Sequence, residues 1–349
     1  MHRATRVTTY AVMGAAVAVL AGACTKGEHA KGGAASGAAG GAHKLTIALL
    51  PKKKGIDYFT SVSKGAMAAA AQDSVTLIYD GPDDGSPEKA ASMIEKWALK
   101  GVDVIAVSPN DPSVLAPAMK AARARGSHVI TWDADGQPDT REWFVNQATA
   151  EQIGGGLVDA MAADLKAVYG APEGDVAIVT ATLTAANQNE WIKYMKARLA
   201  SQYPKMHLVA VKPSNEDQRV AFQVTRDLMT AYPNLRGVFG ISSVSFPGAA
   251  EAVKQAGRSG KTLVTGLATP NGMRAYVMDG TVRSVVLWNT EDLGYLTVKA
   301  AEAVANGTLK AGATTFDAGK LGQKTVAGDN VLLGGILIFN KDNIGQYNF

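Results

Sequence analysis

The sequence predicts an α/β protein of two doubly wound lobes joined by a multi-strand hinge, and three observations carry that prediction. Ser127 to Asp135 (SHVITWDAD) reads as a β-branched strand buried on both faces that passes straight into Asp133 and Asp135. Asp175 to Thr180 repeats the pattern and runs into Ala181-Thr-Leu-Thr-Ala-Ala-Asn-Gln-Asn-Glu-Trp191, so it too ends in hydrogen-bonding groups. Elsewhere strands alternate with helices of about ten to fifteen residues, which implies right-handed crossovers and parallel sheets.

Each element follows in order. Leu45–Leu50 reads as a strand, and Tyr58–Gln72 as a helix entered through Pro51 to Asp57. Val75–Tyr79 is a second strand; the turn Gly81 to Ser86 leads into a helix over Pro87–Leu99. Val102–Val107 is the third strand, followed by Ser108-Pro-Asn-Asp-Pro112 and a helix to Arg125, and His128–Trp132 the fourth. After Glu142 to Gln147 the alternation restarts: a helix over about 148–168, then strands over 175–180, 207–211, 236–241, 262–266 and 282–288. Between those strands the pattern places helices over 187–203, 216–231, 247–256 and 270–278. Residues 311–349 break the rhythm with short strand-like pieces such as Val331-Leu-Leu and Ile336-Leu-Ile-Phe339, expected to cross the lobes or the hinge. The resulting division is 44–136 plus about 290–308 for the first lobe and about 146–288 plus 309–349 for the second.

Composition narrows the class. A chain of 349 residues with 47% hydrophobic and 19% charged content is globular, with material for two domains. Lysine and arginine number 35 against 31 acids, with no dense basic tract, so nucleic acid is set aside as a partner. Arg3 and Arg6 precede an apolar run, Tyr10 to Ala23, that is too short to span a bilayer; residues 1–23 read as an export signal. Cys24, the only cysteine, cannot form an internal disulfide and follows Leu20-Ala-Gly-Ala. That segment resembles a bacterial lipoprotein box, with Ala21 where leucine is usual, which implies a lipid anchor on Cys24. Residues 24–43, rich in Gly and Ala, then read as a flexible tether.

In open parallel sheets ligands bind beyond the carboxyl ends of the strands. Asp133 and Asp135 sit at such an end and could accept vicinal hydroxyls. Lys52 follows the first strand, and Tyr58 or Phe59 could stack on a sugar ring, which shows C–H groups on its face and hydroxyls at its rim. Asn146 and Gln147 lie just past a following strand. Asn187 and Gln188 open a helix with paired amides, and Trp288 and Asn289 end a strand likewise. Each has a plainer reading: solvated lysines at Lys52 to Lys54, a core-facing helix start for the aromatics, and turn former, hinge contact or helix cap for the others. Other motifs fail. Gly257-Arg-Ser-Gly-Lys-Thr262 lacks the first glycine of a phosphate loop and precedes a strand; the five histidines have no metal-ligand spacing; no Gly-x-Ser-x-Gly elbow occurs. No cofactor is expected.

Several stretches point further: Ala106-Val-Ser-Pro-Asn-Asp111, Ile130-Thr-Trp-Asp133, Thr180 to Trp191, Leu287-Trp-Asn-Thr-Glu-Asp-Leu-Gly-Tyr295 and Phe339 to Phe349. On these the chain, from about residue 44 to 349, resembles the type I periplasmic sugar-binding proteins of ABC importers, within them the rhamnose-binding and autoinducer-2-binding group. The resemblance implies two Rossmann-like lobes, a ligand between them, and Asn110 and Ser243 as further site residues. Lys52, Asp133 and Gln188 look like the autoinducer-2 receptors. Those receptors usually carry Asp where this chain has Asn187, and Pro-Asp-Ala where it has Ile241-Ser-Ser243. The Asn-Gln-Asn run, Leu287-Trp-Asn289 and Phe316 to Gly322 look more like the rhamnose type. The expectation is therefore a monomeric binding protein for a rhamnose-like monosaccharide, partnered by an ABC permease and its ATPase, with autoinducer-2 reception or sugar sensing through a signalling receptor as alternatives.

Two other classes are disfavoured. A glycoside hydrolase needs two carboxyls facing one bond, which Asp133 and Asp135, two apart on an extended strand end, do not provide. A transcription regulator of this fold would carry a DNA-binding helix pair before Lys44 and no export signal.

Overall fold

The computed structural model describes Lys44 to Phe349, which form one unit. The leader, the tether and Cys24 lie outside the described residues.

The first lobe opens with β1 (Thr46–Leu50), α1 (Asp57–Gln72), β2 (Thr76–Tyr79), α2 (Pro87–Leu99), β3 (Val104–Val107), α3 (Pro112–Ala124), β4 (His128–Trp132) and β5 (Trp143–Asn146). These strands pair in parallel in the order β5-β4-β3-β1-β2, a doubly wound arrangement. Alternation buries both faces: Ile47 and Leu49 join the core shared with α1, while Ala48 and Leu50 pack with Ile94, Trp97, Leu115 and Met119 of α2 and α3. Helix starts follow their caps. Ser86 accepts from the Lys89 N–H at 3.2 Å and Asp111 from the Ser113 N–H at 2.9 Å, each with proline at the next position.

The second lobe contains α4 (Ala150–Tyr169), β6 (Gly174–Thr180), α5 (Ala186–Gln202), β7 (Met206–Pro213), α6 (Gln218–Ala231), β8 (Leu235–Gly240), α7 (Ser245–Gln255), β9 (Leu263–Gly266), α8 (Pro270–Met278) and β10 (Val285–Leu287). Its parallel sheet runs β7-β6-β8-β9, with α4 and α5 packed together and α6 and α7 packed together. The chain then returns to the first lobe as α9 (Thr290–Ala305), which lies against α1 and β3 to β5. The sequence pattern assigned this segment to the first lobe without marking a helix. Its residues from Leu293 to Val304 are buried almost all round, so no amphipathic stripe shows.

The tail corrects part of the assignment of residues 309–349 to the second lobe: its strands up to Leu332 belong to the first lobe, and only the end, from Leu337, packs on the second. β11 (Thr315–Asp317), β12 (Gln323–Ala327) and β13 (Asn330–Leu332) extend the first sheet, β13 pairing in parallel with β5 from Asn330↔Phe144 to Leu332↔Asn146. Without them β5 would be an open edge with unpaired backbone groups. The last strand, β14 (Leu337–Phe339), crosses over and pairs with β10. Three crossings therefore join the lobes, near residues 146–150, 287–290 and 332–337.

Candidate functional site

Asp133 sits where β4 ends, and the backbone there is unusual. Its φ is +63°, and the Ala134 N–H donates to the Trp132 carbonyl at 2.7 Å, a γ-turn of the strained, positive-φ kind. Gln147 holds the turn from the next strand end, its Nε2 donating to the Asp133 carbonyl at 3.0 Å. The turn aims the carboxylate into a cavity between the lobes of about 420 Å³, counting its opening to solvent.

That carboxylate is heavily engaged. Tyr58 donates to Oδ1 at 2.9 Å, Ser108 donates to Oδ2 at 2.9 Å, and the Lys52 ammonium lies 3.2 Å from Oδ2. Lys52 also donates to Asn187 Oδ1 at 3.2 Å, tying the first lobe to the start of α5 in the second. Tyr58 in turn accepts from the Trp288 indole N–H at 3.1 Å. Burial, with Asp133 adding to it, pushes the Tyr58 phenol well above its ordinary range, so it remains a donor. Gln188 spends its Oε1 on the Thr180 hydroxyl and, at 2.8 Å, the Ala181 N–H, which turns its amide NH2 toward the cavity.

Aromatic edges line the space. Trp132, Phe59, Tyr58, Trp288 and Trp191 form a chain of edge-to-face contacts with centroids 5.1 to 6.3 Å apart, running from the first lobe to α5. Ile241, Leu267 and Leu287 complete the apolar wall, and Ser242, Ser243 and Glu216 its polar part. Burial raises the Glu216 carboxyl above its usual value; Lys52 and Lys53 oppose the shift and Asp133 adds to it.

Of the residues singled out from sequence, Lys52, Tyr58, Phe59, Asp133, Asn187, Gln188, Ser243 and Trp288 line this one cavity. Asn146, Gln147 and Asp135 line a neighbouring chamber. There Asp135 is taken up by Arg141, whose Nε and Nη2 reach its two oxygens at 2.9 and 2.6 Å, a clamp that also engages Asp329. Asn110 borders a third chamber and donates to the Gly85 carbonyl. Asn289 lies outside these chambers, where its side chain caps α9 by accepting from the Asp292 N–H at 3.1 Å.

Sequence reasoning missed Ser108, Trp191 and Glu216. Ser108 and Glu216 follow the carboxyl ends of β3 and β7, the rule that found Asp133; a helix expected from 216 hid the latter. Trp191 is on the face of α5 that Asn187 and Gln188 begin. Among the described residues no group of three or more His, Cys, Asp or Glu could hold a metal ion, and no helix is long and apolar enough to cross a membrane.

Comparison with known proteins places this geometry. Residues 47–309 match the model described as a periplasmic binding protein domain. The chain belongs to the periplasmic binding protein family. Ribose import binding protein RbsB of Escherichia coli is 25% identical over 264 residues, 76% of this chain and 86% of that protein. LsrB from Clostridium saccharobutylicum, solved in complex with AI-2, superposes with a TM-score of 0.84 at 29% identity, covering 87% of this chain and 100% of that one. A solute binding protein of an ABC transporter from Clostridium phytofermentas, with bound L-rhamnose, gives 0.81 at 29% identity, covering 87% and 98%. The expected family and the two-lobed α/β fold thus hold. Periplasmic binding proteins are exported and bind substrates rather than transform them, so this is a binding protein of an ABC sugar-import family and not an enzyme.

Proposed function

We propose that this protein captures an uncharged monosaccharide of the 6-deoxyhexose type, such as L-rhamnose, between its lobes and delivers it to an ABC permease driven by its ATPase. The observation that supports this most is the convergence of Asp133, Lys52, Asn187 and Gln188, from both lobes, on a cavity walled by Tyr58, Phe59, Trp191 and Trp288. Amides, a carboxylate and an ammonium match the hydroxyl rim of a sugar, and aromatic and aliphatic walls match its C–H faces. Each buried hydroxyl left unpaired costs about 1–3 kcal/mol, enough to reject a wrong epimer, and micromolar capture needs only about −8 kcal/mol in all.

Closure around ligand is established behaviour for periplasmic binding proteins. Here a ligand touching both lobes gains its full set of contacts only when they are shut, which gives the differential affinity that shifts the population. In our reading the protein works as a monomer, held at the membrane by lipid on Cys24. Autoinducer-2 is the second reading, favoured by the AI-2-bound neighbour and by Lys52, Asp133 and Gln188 lining the same cavity. The test is a melting-shift screen of L-rhamnose, D-ribose, D-arabinose and AI-2. A ligand at one hundred times its Kd adds about 2.7 kcal/mol; no shift with any of the four sinks the proposal, and AI-2 alone selects the second reading.

A further inference from the structure

Glu216 is the part of the cavity that capture by Asp133 and the amides leaves unused. It follows the carboxyl end of β7, where Asn215 and Glu216 hold left-handed backbone in succession, with φ of +54° and +52°. Residues with a Cβ rarely adopt that conformation, and where it persists at a ligand site the surroundings hold it there. Here the turn carries the carboxyl into the cavity wall beside Ser242, within the fields of Lys52 and of Asp133 on the opposite lobe. Lys53 of the first lobe clasps the same turn from outside, its Nζ donating to the Glu216 carbonyl at 3.3 Å.

Charge on the cavity wall follows directly. Its charged lining residues are Asp133, Glu216 and Lys52, so with both acids ionised the carboxylates outnumber the ammonium. Asp133 is already occupied by Tyr58, Ser108 and Lys52, whereas the Glu216 carboxyl comes from the other lobe and meets the Ser242 hydroxyl. A carboxylate in a water-poor pocket accepts hydroxyl donors readily and repels a second anion strongly.

We propose that Glu216 is a direct ligand contact that makes this site select a neutral sugar over acidic sugars such as uronates. The proposal rests on the sugar-capture reading and names the ligand class within it. Calorimetric titration of the mature protein and its E216Q, E216A and E216G variants with L-rhamnose, D-galactose, D-glucose, D-galacturonate and D-glucuronate tests it. Wild type should bind its best neutral sugar at least a hundredfold tighter than its best uronate. E216Q should weaken the neutral sugar at least tenfold and narrow that gap at least tenfold; E216A should weaken the neutral sugar comparably. E216G should melt at or above the wild-type temperature without ligand, because glycine relieves the left-handed strain, yet bind as weakly as E216A. If E216Q matches wild type within twofold on both sugars, the inference falls alone; if wild type takes no neutral sugar, the capture reading falls and takes the inference with it.

Discussion

Replacing Asp133 by Ala removes the acceptor shared by Tyr58, Ser108 and Lys52. D133A should therefore lose all sugar-induced thermal stabilisation, and a melting shift equal to wild type would take this residue out of the site. Tyr58→Phe isolates a different contribution. It keeps the ring but leaves the buried Trp288 indole N–H without its acceptor, an expected loss of about 1–3 kcal/mol by urea unfolding. Glu216 carries a pH signature of its own. Because burial raises its folded-state pKa above the ordinary glutamate value, the folded protein holds that proton more tightly than the unfolded chain. The associated stability is present below the unfolded value and is lost as pH rises through the raised folded one. E216Q should flatten that fall without ligand, which unfolding curves of both proteins at several pH values would show; parallel profiles would contradict it.

At the scale of elements, close approach decides more than composition. α1 and α9 touch backbone to backbone: a Cβ added at Gly65 would fall 1.7 Å from the Glu291 carbonyl oxygen, and one at Gly294 1.9 Å from that of Val62. G65A and G294A should each destabilise by about 1–3 kcal/mol or more, since the helices must separate. Gly155, in the middle of α4 with nothing within 4 Å, is the control. G155A should stabilise by about 1 kcal/mol through helix propensity, and equal losses at all three positions in denaturant unfolding would refute the packing argument. These helices also show where the pattern fell silent. α1 was legible from its small-residue stripe, whereas α9, buried nearly all round, presented no stripe to read.

Over the whole molecule, the lobes meet through Lys52, which joins Asp133 to Asn187, and through Lys53, which reaches the Glu216 carbonyl. K52M should weaken the closed arrangement, giving a larger radius of gyration by small-angle X-ray scattering without ligand. An unchanged value would show that closure does not depend on this bridge. The alternation of strand and helix, the two polar strand ends at Asp133 and Asn187-Gln188, and the aromatic positions Tyr58, Phe59 and Trp288 were legible from the chain, because period and residue type are local properties. Partners were not. That residues 315–332 complete the first sheet, that Asp329 shares the Arg141 clamp and that Glu216 enters the cavity facing Lys52 and Asp133 depend on segments far apart in sequence. The Asp135–Arg141 pair and the Asn289 cap span only six and three residues and were hidden because Asp135 and Asn289 each also had a ligand-binding reading. Local patterning thus determined which elements form and which ends are polar; only tertiary packing decided which of those polar groups meet each other and which are left facing the cavity, because hydrogen-bond and charge pairing are settled by distances that the chain order does not encode.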